Sequence, residues 1–155
     1  MQSESCPLCT QTGGELIWQN PSFRVIAVAD VDYPGFTRVV WTDHVAEMTD
    51  LEDPQRATLM AAVYTVESVM RRLLAPDKVN LAAFGNMVPH MHWHVIPRWR
   101  DDRHFPDPYW AAPRIYPGQE PAHWQARLAE RAAKVSAYHR ALASALDSQC
   151  KDACA

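Results

Sequence analysis

The chain has 155 residues, 48% apolar and 21% charged, which is ordinary for one globular domain with a packed core. Its formal net charge of −3 argues against a dedicated nucleic-acid-binding protein, which usually carries a basic excess. The sequence lacks both an apolar run long enough for a membrane span and a recognisable secretory leader. We therefore expect a cytoplasmic protein whose four cysteines are thiols or metal ligands rather than disulfides.

The first half of the chain predicts a set of short strands followed by one helix. Strands are predicted at Glu15–Trp18, Phe23–Ala29 and Thr37–Thr42, between breaks that contain Asn, Asp, Pro and Gly. Asp53 as N-cap and Pro54 as first helical residue predict a helix start. Apolar residues at helical spacing then continue this helix to Leu74.

The second half predicts two more strands, an irregular segment and a second helix. The apolar stretch Lys78–Phe84 predicts a central strand, and a Gly-Asn turn then leads into a strand that contains three histidines. Five prolines between residues 100 and 121 exclude a regular element there, and the aromatic residues among them need cover from this domain or a partner subunit. His123–Leu146 predicts an amphipathic helix, followed by a polar tail with Cys150 and Cys154.

These elements predict an α+β fold, an antiparallel sheet with helices packed against it and a further C-terminal helix. Three segments are expected within one domain. They are a catalytic domain at residues 1–100, a proline-rich and aromatic-rich wrapping loop at residues 101–121, and a C-terminal helix with its tail at residues 122–155.

The most informative segment places three histidines at alternate positions. In an extended chain His90, His92 and His94 share one face, roughly 6.5 to 7 Å apart, because side chains alternate between the two faces. Met91 and Trp93 would then pack behind them. Imidazole can act as a nucleophile, acid, base or metal ligand near neutral pH, so this row is a candidate site.

The segment His90-Met91-His92-Trp93-His94-Val95-Ile96 resembles the signature of the histidine-triad (HIT) family, in which three histidines alternate with apolar residues. The resemblance extends from about Cys6 to about Arg100. It implies a small antiparallel sheet with helices and a homodimer. It also implies a hydrolase that acts at the α-phosphorus of nucleoside phosphoramidates or dinucleoside polyphosphates.

In the family, the residue at the position of His92 attacks phosphorus and forms a nucleotidyl-histidine. His94, next on the same face, could contact the phosphoryl oxygens or help the leaving group depart. The resemblance implies that Asn86, where relatives commonly carry Gln, binds the phosphate or bridging oxygen with its amide. It also implies that Asp30 binds ribose hydroxyls. Asn80 is a further candidate for substrate contact, in a stretch with less glycine than the family usually has.

The Cys6-Pro7-Leu8-Cys9 pair predicts a metal site, with reduced, unoccupied thiols as the alternative. A structural zinc site closes with four ligands, and His44 and His90 would lie at neighbouring ends of antiparallel strands. The resemblance is to members with a CxxC zinc pair, which use this ligand set. Zn²⁺ is thus the expected cofactor, and no organic cofactor is expected.

Three other functions remain open at this point. The protein could transfer the nucleotide to phosphate or to a sugar phosphate, or bind nucleotides as a regulator with little turnover. It could also be a metal-dependent hydrolase in which all three histidines are ligands. Neither a nucleic acid nor a membrane is an expected partner.

Overall fold

The computed structural model of the protein describes residues 3–152, in which five strands form one antiparallel sheet with the two long helices packed on one face. In chain order the elements are α1 (Pro7–Thr10), β1 (Glu15–Gln19), β2 (Phe23–Ala27), β3 (Thr37–Trp41), a 3₁₀ turn (Met48–Asp50), α2 (Asp53–Leu74), β4 (Lys78–Ala82), β5 (His92–Arg98) and α3 (Trp124–Asp152). The strand order across the sheet is β1-β2-β3-β5-β4. The predicted α+β class is confirmed.

The two faces of the sheet have different cover. On one face Val25, Val39 and Val95, from three neighbouring strands, pack with residues of α2 and α3 in the main core. The opposite face carries two smaller apolar clusters, one built from Cys6, Leu8, Ile26 and Val40 and the other from Tyr33, Phe36 and Ile96. Within residues 3–152 no helix is long and apolar enough to cross a lipid bilayer.

Helix α2 starts one residue earlier than the sequence predicted. Its N-cap is Glu52, not Asp53, and the Gln55 side chain accepts the Glu52 backbone N–H at 2.9 Å in a capping box. The end at Leu74 is as predicted, because Ala75 adopts a left-handed conformation with φ of 48° and Pro76 follows. The apolar residues at helical spacing face the core.

The prediction of a central strand at Lys78–Phe84 was wrong in two respects. β4 ends at Ala82, and it lies at the edge of the sheet with β5 as its neighbour. Val79 and Leu81 gave the stretch its apolar pattern because they pack into the main core from this edge. The histidine strand also starts later than expected, since β5 begins at His92 and His90 precedes it.

The segment between β5 and α3 wraps over the domain itself. Arg98 forms a buried ion pair with Asp102, with 2.7 Å between Arg98 Nε and Asp102 Oδ2. Arg103 pairs with Asp32 at 2.7 Å, and the ring of Tyr109 packs edge-on against those of Tyr33 and Phe36. Tyr109 thus finds cover on the second face of the sheet, whereas Trp110 and Tyr116 of the same loop stay exposed.

Helix α3 is longer than predicted and extends into the expected tail. It continues to Asp152, because Leu142 and Leu146 are buried in the main core and Trp18 Nε1 donates to Asp147 at 2.7 Å. Cys150 is therefore helical and partly buried rather than in a solvated tail. Cys154 lies outside the described residues.

Candidate active site and metal centre

The alternation predicted for the histidine row is present in the structure. Met91, Trp93 and Val95 pack into the helix-side core, while His92 and His94 lie on the opposite face. The ring centroids of His92 and His94 are 4.8 Å apart. Both side chains are largely buried, with 8% of His92 and 7% of His94 exposed.

His92 is held in one tautomer by the backbone. Its Nδ1 lies 2.6 Å from the carbonyl oxygen of His90, and a carbonyl can only accept, so Nδ1 carries the proton. Nε2 then keeps a free lone pair. Burial lowers the pKa of His92 more than the bond to the carbonyl raises it, and the charge of Arg38 lowers it further. The imidazole is thus neutral near pH 7 and has the form that a nucleophile needs.

His94 lies beside His92 and has a strongly perturbed pKa. Burial, Arg38 and His92 together lower the pKa of His94 to about 3, so this ring is also neutral near pH 7. Its Nδ1 is buried and has no hydrogen-bond partner among residues 3–152. The ring is flanked by Phe84 and Phe36, with centroids 5.0 Å and 5.6 Å away.

Arg38 is a site residue that the sequence analysis missed. It lies on β3 directly opposite His94 in the strand pairing, and its guanidinium contributes to the lowered pKa values of His92 and His94. Its Nε is buried without a hydrogen-bond partner in the described part of the chain. A buried, unpaired guanidinium N–H next to two neutral histidines favours an anionic group such as phosphate. The sequence signal was only an arginine within an apolar strand.

Four predicted metal ligands converge at one end of β3 and β5. The ligand atoms of Cys6, Cys9, His44 and His90 all lie within 4.8 Å of one another. Cys9 Sγ is 3.5 Å from Nδ1 of both histidines, and Cys6 Sγ is 3.5 Å from Nδ1 of His90. Sulfur and nitrogen ligands of a tetrahedral zinc ion are about 3.5 Å apart, given Zn–S and Zn–N bonds of about 2.3 and 2.0 Å. The donor set and its spacing fit zinc.

Backbone carbonyls orient the members of this group. His90 Nε2 donates to the carbonyl of Trp41 at 2.7 Å, which leaves the lone pair of Nδ1 directed at the cysteines. Arg24 holds the cysteine loop by donating to the carbonyls of Leu8, Gln11 and Thr12 at 2.7, 3.2 and 3.0 Å. The guanidinium of Arg24 also interacts electrostatically with Cys9 and Cys6.

The geometry argues against the hypothesis of three histidine ligands. Among the described residues, the group able to hold a metal contains His90 but neither His92 nor His94. The ring of His90 is turned to the cysteines, whereas Nδ1 of His92 is bonded to the backbone. The three histidines therefore separate into one candidate metal ligand and two candidate reaction-site residues.

The remaining candidates lie around the two histidines. Asp30 accepts from the Tyr109 hydroxyl at 2.8 Å, and Tyr109 packs on Phe36, which in turn contacts the ring of His94. Asn86 lies in the exposed turn between β4 and β5. Asn80 is placed differently, since its oxygen accepts from Arg98 Nη1 at 2.8 Å and so belongs to the buried Arg98–Asp102 network.

Comparison with known protein families decides the classification. The HIT domain family matches residues 10–101. This protein belongs to the HIT family. A curated relative, the AP-4-A phosphorylase of Mycobacterium tuberculosis, is 35% identical over 78 residues, which covers 46% of this chain and 40% of the relative. The chain thus matches less than half the length of that relative.

Solved HIT structures have the same fold. A histidine triad protein from Bradyrhizobium japonicum is 28% identical, with a TM-score of 0.58, over 78% of this chain and 91% of its own. One from Marinobacter aquaeolei is 24% identical, with a TM-score of 0.63, over 87% and 99%. A Zn-bound histidine triad family protein from Mycobacterium smegmatis is 22% identical, with a TM-score of 0.58, over 96% and 97%. The last two comparisons bear on the fold alone.

Proposed function

We propose that this HIT protein is a hydrolase that acts at the α-phosphorus of nucleoside phosphoramidates or dinucleoside polyphosphates, with His92 as the nucleophile. The observation that carries the proposal is the bond from His92 Nδ1 to the His90 carbonyl, which leaves a neutral ring with a free Nε2 lone pair. Arg38 and His94 adjoin this ring. A neutral nucleophile beside a fixed positive charge suits attack on an anionic phosphoryl group.

The reaction divides into two displacements at the same phosphorus. In the first, Nε2 of His92 forms an N–P bond while the bond to the leaving group breaks, and the leaving group departs with the electron pair. The nitrogen of a phosphoramidate takes up one proton from water in this step and leaves as ammonia. In the second, water attacks phosphorus, the N–P bond breaks, and one proton of the water is released. The products are a nucleoside monophosphate and the regenerated neutral His92. Two moderate barriers replace one high barrier.

Other residues would position the substrate around this nucleophile. Arg38 supplies positive charge to the non-bridging oxygens, which gain negative charge in the transition state. His94 donates to a phosphoryl oxygen, and the exposed amide of Asn86 binds the phosphate chain. Asp30 accepts from ribose hydroxyls, next to the Tyr109 hydroxyl that already fixes its orientation. The bond from Arg98 to Asn80 favours a structural role for that amide over the substrate contact first expected.

Cys6, Cys9, His44 and His90 would hold a structural Zn²⁺, which would tie the N-terminal segment to the ends of β3 and β5. The three sulfur-to-nitrogen distances of 3.5 Å support this assignment. A closed four-ligand site leaves no position for water, so the metal would stabilise the fold. Thiolate ligands need a reducing compartment, in keeping with a cytoplasmic location.

Transfer to phosphate is the second candidate function. It is favoured by the name of the Mycobacterium tuberculosis relative, AP-4-A phosphorylase, since a phosphorylase uses inorganic phosphate as acceptor. The same nucleotidyl-histidine would serve, with phosphate in place of water in the second displacement. The product would then be a nucleoside diphosphate instead of a monophosphate, so the two functions differ in one measurable product.

We also propose a homodimer, as the family resemblance implies. Among the described strands β4 pairs with β5 alone, so one edge of β4 presents backbone groups that a second copy could pair with. Sedimentation equilibrium gives the mass in solution directly, and a mass of one chain at micromolar concentration would contradict the proposal.

The proposed chemistry is tested by product analysis with adenosine phosphoramidate and diadenosine tetraphosphate, each with and without inorganic phosphate. Wild-type protein should release adenosine monophosphate, and His92→Asn should abolish release while keeping the fold. Phosphate-dependent formation of the diphosphate would select transfer. Turnover that survives His92→Asn would rule out the covalent mechanism. Binding without turnover by wild-type protein would select the regulatory binder.

A further inference from the structure

Two exposed aromatic rings extend from the candidate active site into solvent. The ring of Phe84 lies against His94, with centroids 5.0 Å apart and planes at 68°. The indole of Trp110 lies against Phe84, with centroids 4.8 Å apart and planes at 81°. Phe84 is 38% exposed and Trp110 is 62% exposed. Both side chains leave part of their apolar surface in water, so a contiguous exposed pair beside the candidate reaction site indicates a binding surface.

The position of Trp110 is fixed by its neighbours. Tyr109, the preceding residue, turns inward and donates to Asp30 at 2.8 Å, which leaves Trp110 to project outward over Phe84. Arg98 also anchors this loop, because its Nη2 donates to the carbonyl of Asp107 at 2.8 Å. A surface ordered in this way before binding spends little conformational entropy when a ligand arrives.

The strand order places this pair on one side of the reaction site. Phe36 precedes β3 and reaches His94 from that side, with Tyr109 and Asp30 behind it. Phe84 follows β4 and reaches His94 from the opposite side, because β5 lies between β3 and β4. A phosphoryl group at His92 would therefore have Asp30, the candidate residue for binding the ribose, on one side and the Phe84–Trp110 pair on the other. The group that departs from phosphorus would lie on the aromatic side.

We propose that Phe84 and Trp110 form a stacking subsite for a planar aromatic leaving group, such as the base of the second nucleoside in a dinucleoside polyphosphate. The inference rests on the proposed function and names the substrate class within it. The subsite has aromatic faces and edges but no fixed hydrogen-bond pattern in the observed contacts, so it would accept different bases. Stacking of one base on an aromatic side chain contributes enough affinity to change binding about tenfold or more.

The test compares two substrates that differ in the leaving group. Diadenosine tetraphosphate carries a second base, whereas adenosine phosphoramidate releases ammonia and places nothing on the aromatic pair. Trp110→Ala should lower kcat/KM for the dinucleotide about tenfold and leave the phosphoramidate within about twofold. Trp110→Phe should retain most of the activity. Tyr116→Ala is the matched control, since Tyr116 is an exposed aromatic residue of the same loop and should affect neither substrate.

A binding measurement separates this inference from the proposed chemistry. In a His92→Asn background, calorimetry with diadenosine tetraphosphate and with adenosine monophosphate should show that Trp110→Ala weakens only the dinucleotide, about tenfold. That result supports the subsite even if wild-type protein turns over neither substrate. Three results would each overturn the proposed subsite. They are equal dinucleotide affinities with and without Trp110, an equal loss of affinity for both ligands, and conversion of a dimer to a monomer by Trp110→Ala.

Discussion

Replacement of Asp102 by Asn should strongly destabilise the protein although it changes one atom. Oδ2 of Asp102 accepts from Arg98 Nε at 2.7 Å and from the Trp99 backbone N–H at 3.1 Å. Oδ1 accepts from the backbone N–H groups of His104 and Phe105 at 2.8 and 2.7 Å. In either orientation an amide NH₂ would face N–H donors, and Arg98 would lose its negative partner.

The size of the effect follows from burial. The side chains of Arg98 and Asp102 are 3% and 0% exposed, so water cannot replace the lost partner. Removal of one member of a buried, hydrogen-bonded ion pair costs about 3 to 5 kcal/mol. Asp53→Asn is the matched control, because Asp53 pairs with Arg56 but is 88% exposed. An exposed pair of this kind contributes less than about 1 kcal/mol.

Urea unfolding at pH 7, followed by tryptophan fluorescence and circular dichroism, measures both variants. The pH dependence provides an internal check. Burial raises the pKa of Asp102, but bonds from Arg98 and His104 and the charge of Arg98 outweigh it and hold this pKa below its usual value. The stabilisation is therefore fully present above about pH 4 and is lost as pH falls through the folded-state pKa. A cost below about 1 kcal/mol for Asp102→Asn at pH 7 would refute this reasoning.

Three further predictions concern the site itself. Arg38→Gln should lower kcat/KM for adenosine phosphoramidate about a hundredfold, because the negative charge of the transition state loses its stabilising cation. Arg38→Lys keeps a positive charge and should retain part of the wild-type kcat/KM. Unchanged kinetics in Arg38→Gln would exclude a phosphate contact. His94 is neutral when folded, with a pKa of about 3, but protonated when unfolded below about pH 6.5, so stability should fall as pH drops through this window. His94→Asn should reduce that loss in acid unfolding curves, and parallel curves would contradict the assignment. Purified protein should contain one zinc ion per chain, as measured by atomic emission. A chelator or the substitution Cys9→Ser should release the zinc and lower the melting temperature. Absence of zinc from wild-type protein would favour a reduced, unoccupied Cys6–Cys9 pair.

The sequence predicted the site best where local pattern and chemistry coincide. Alternating histidines need only an extended chain to separate from Met91 and Trp93, and this separation is present. The grouping of Cys6 and Cys9 with His44 and His90 also followed from sequence, since antiparallel neighbours bring distant segments together at strand ends. The first prediction needed only an extended chain, whereas the second also depended on the pairing of β3 with β5.

The features that the sequence did not predict depend on tertiary contacts, which no local sequence pattern reveals. Arg38 entered the site because it lies opposite His94, and the exact register of β3 with β5 cannot be read from either strand. β4 looked central because an edge strand that packs on a helix has the same apolar residues as a buried one. The end of α3 was missed because it is held by tertiary contacts, including the bond from Trp18 to Asp147, rather than by its own composition.

The double use of His90 has a consequence for how this protein can change over evolutionary time. Its ring faces the cysteines, but the group that aligns His92 is its backbone carbonyl. Every amino acid supplies that carbonyl. Descendants could therefore exchange the ring and lose the proposed metal site while the alignment of His92 is inherited unchanged. The proposed metal binding and the proposed phosphorus chemistry are thus separable, although one residue would serve both.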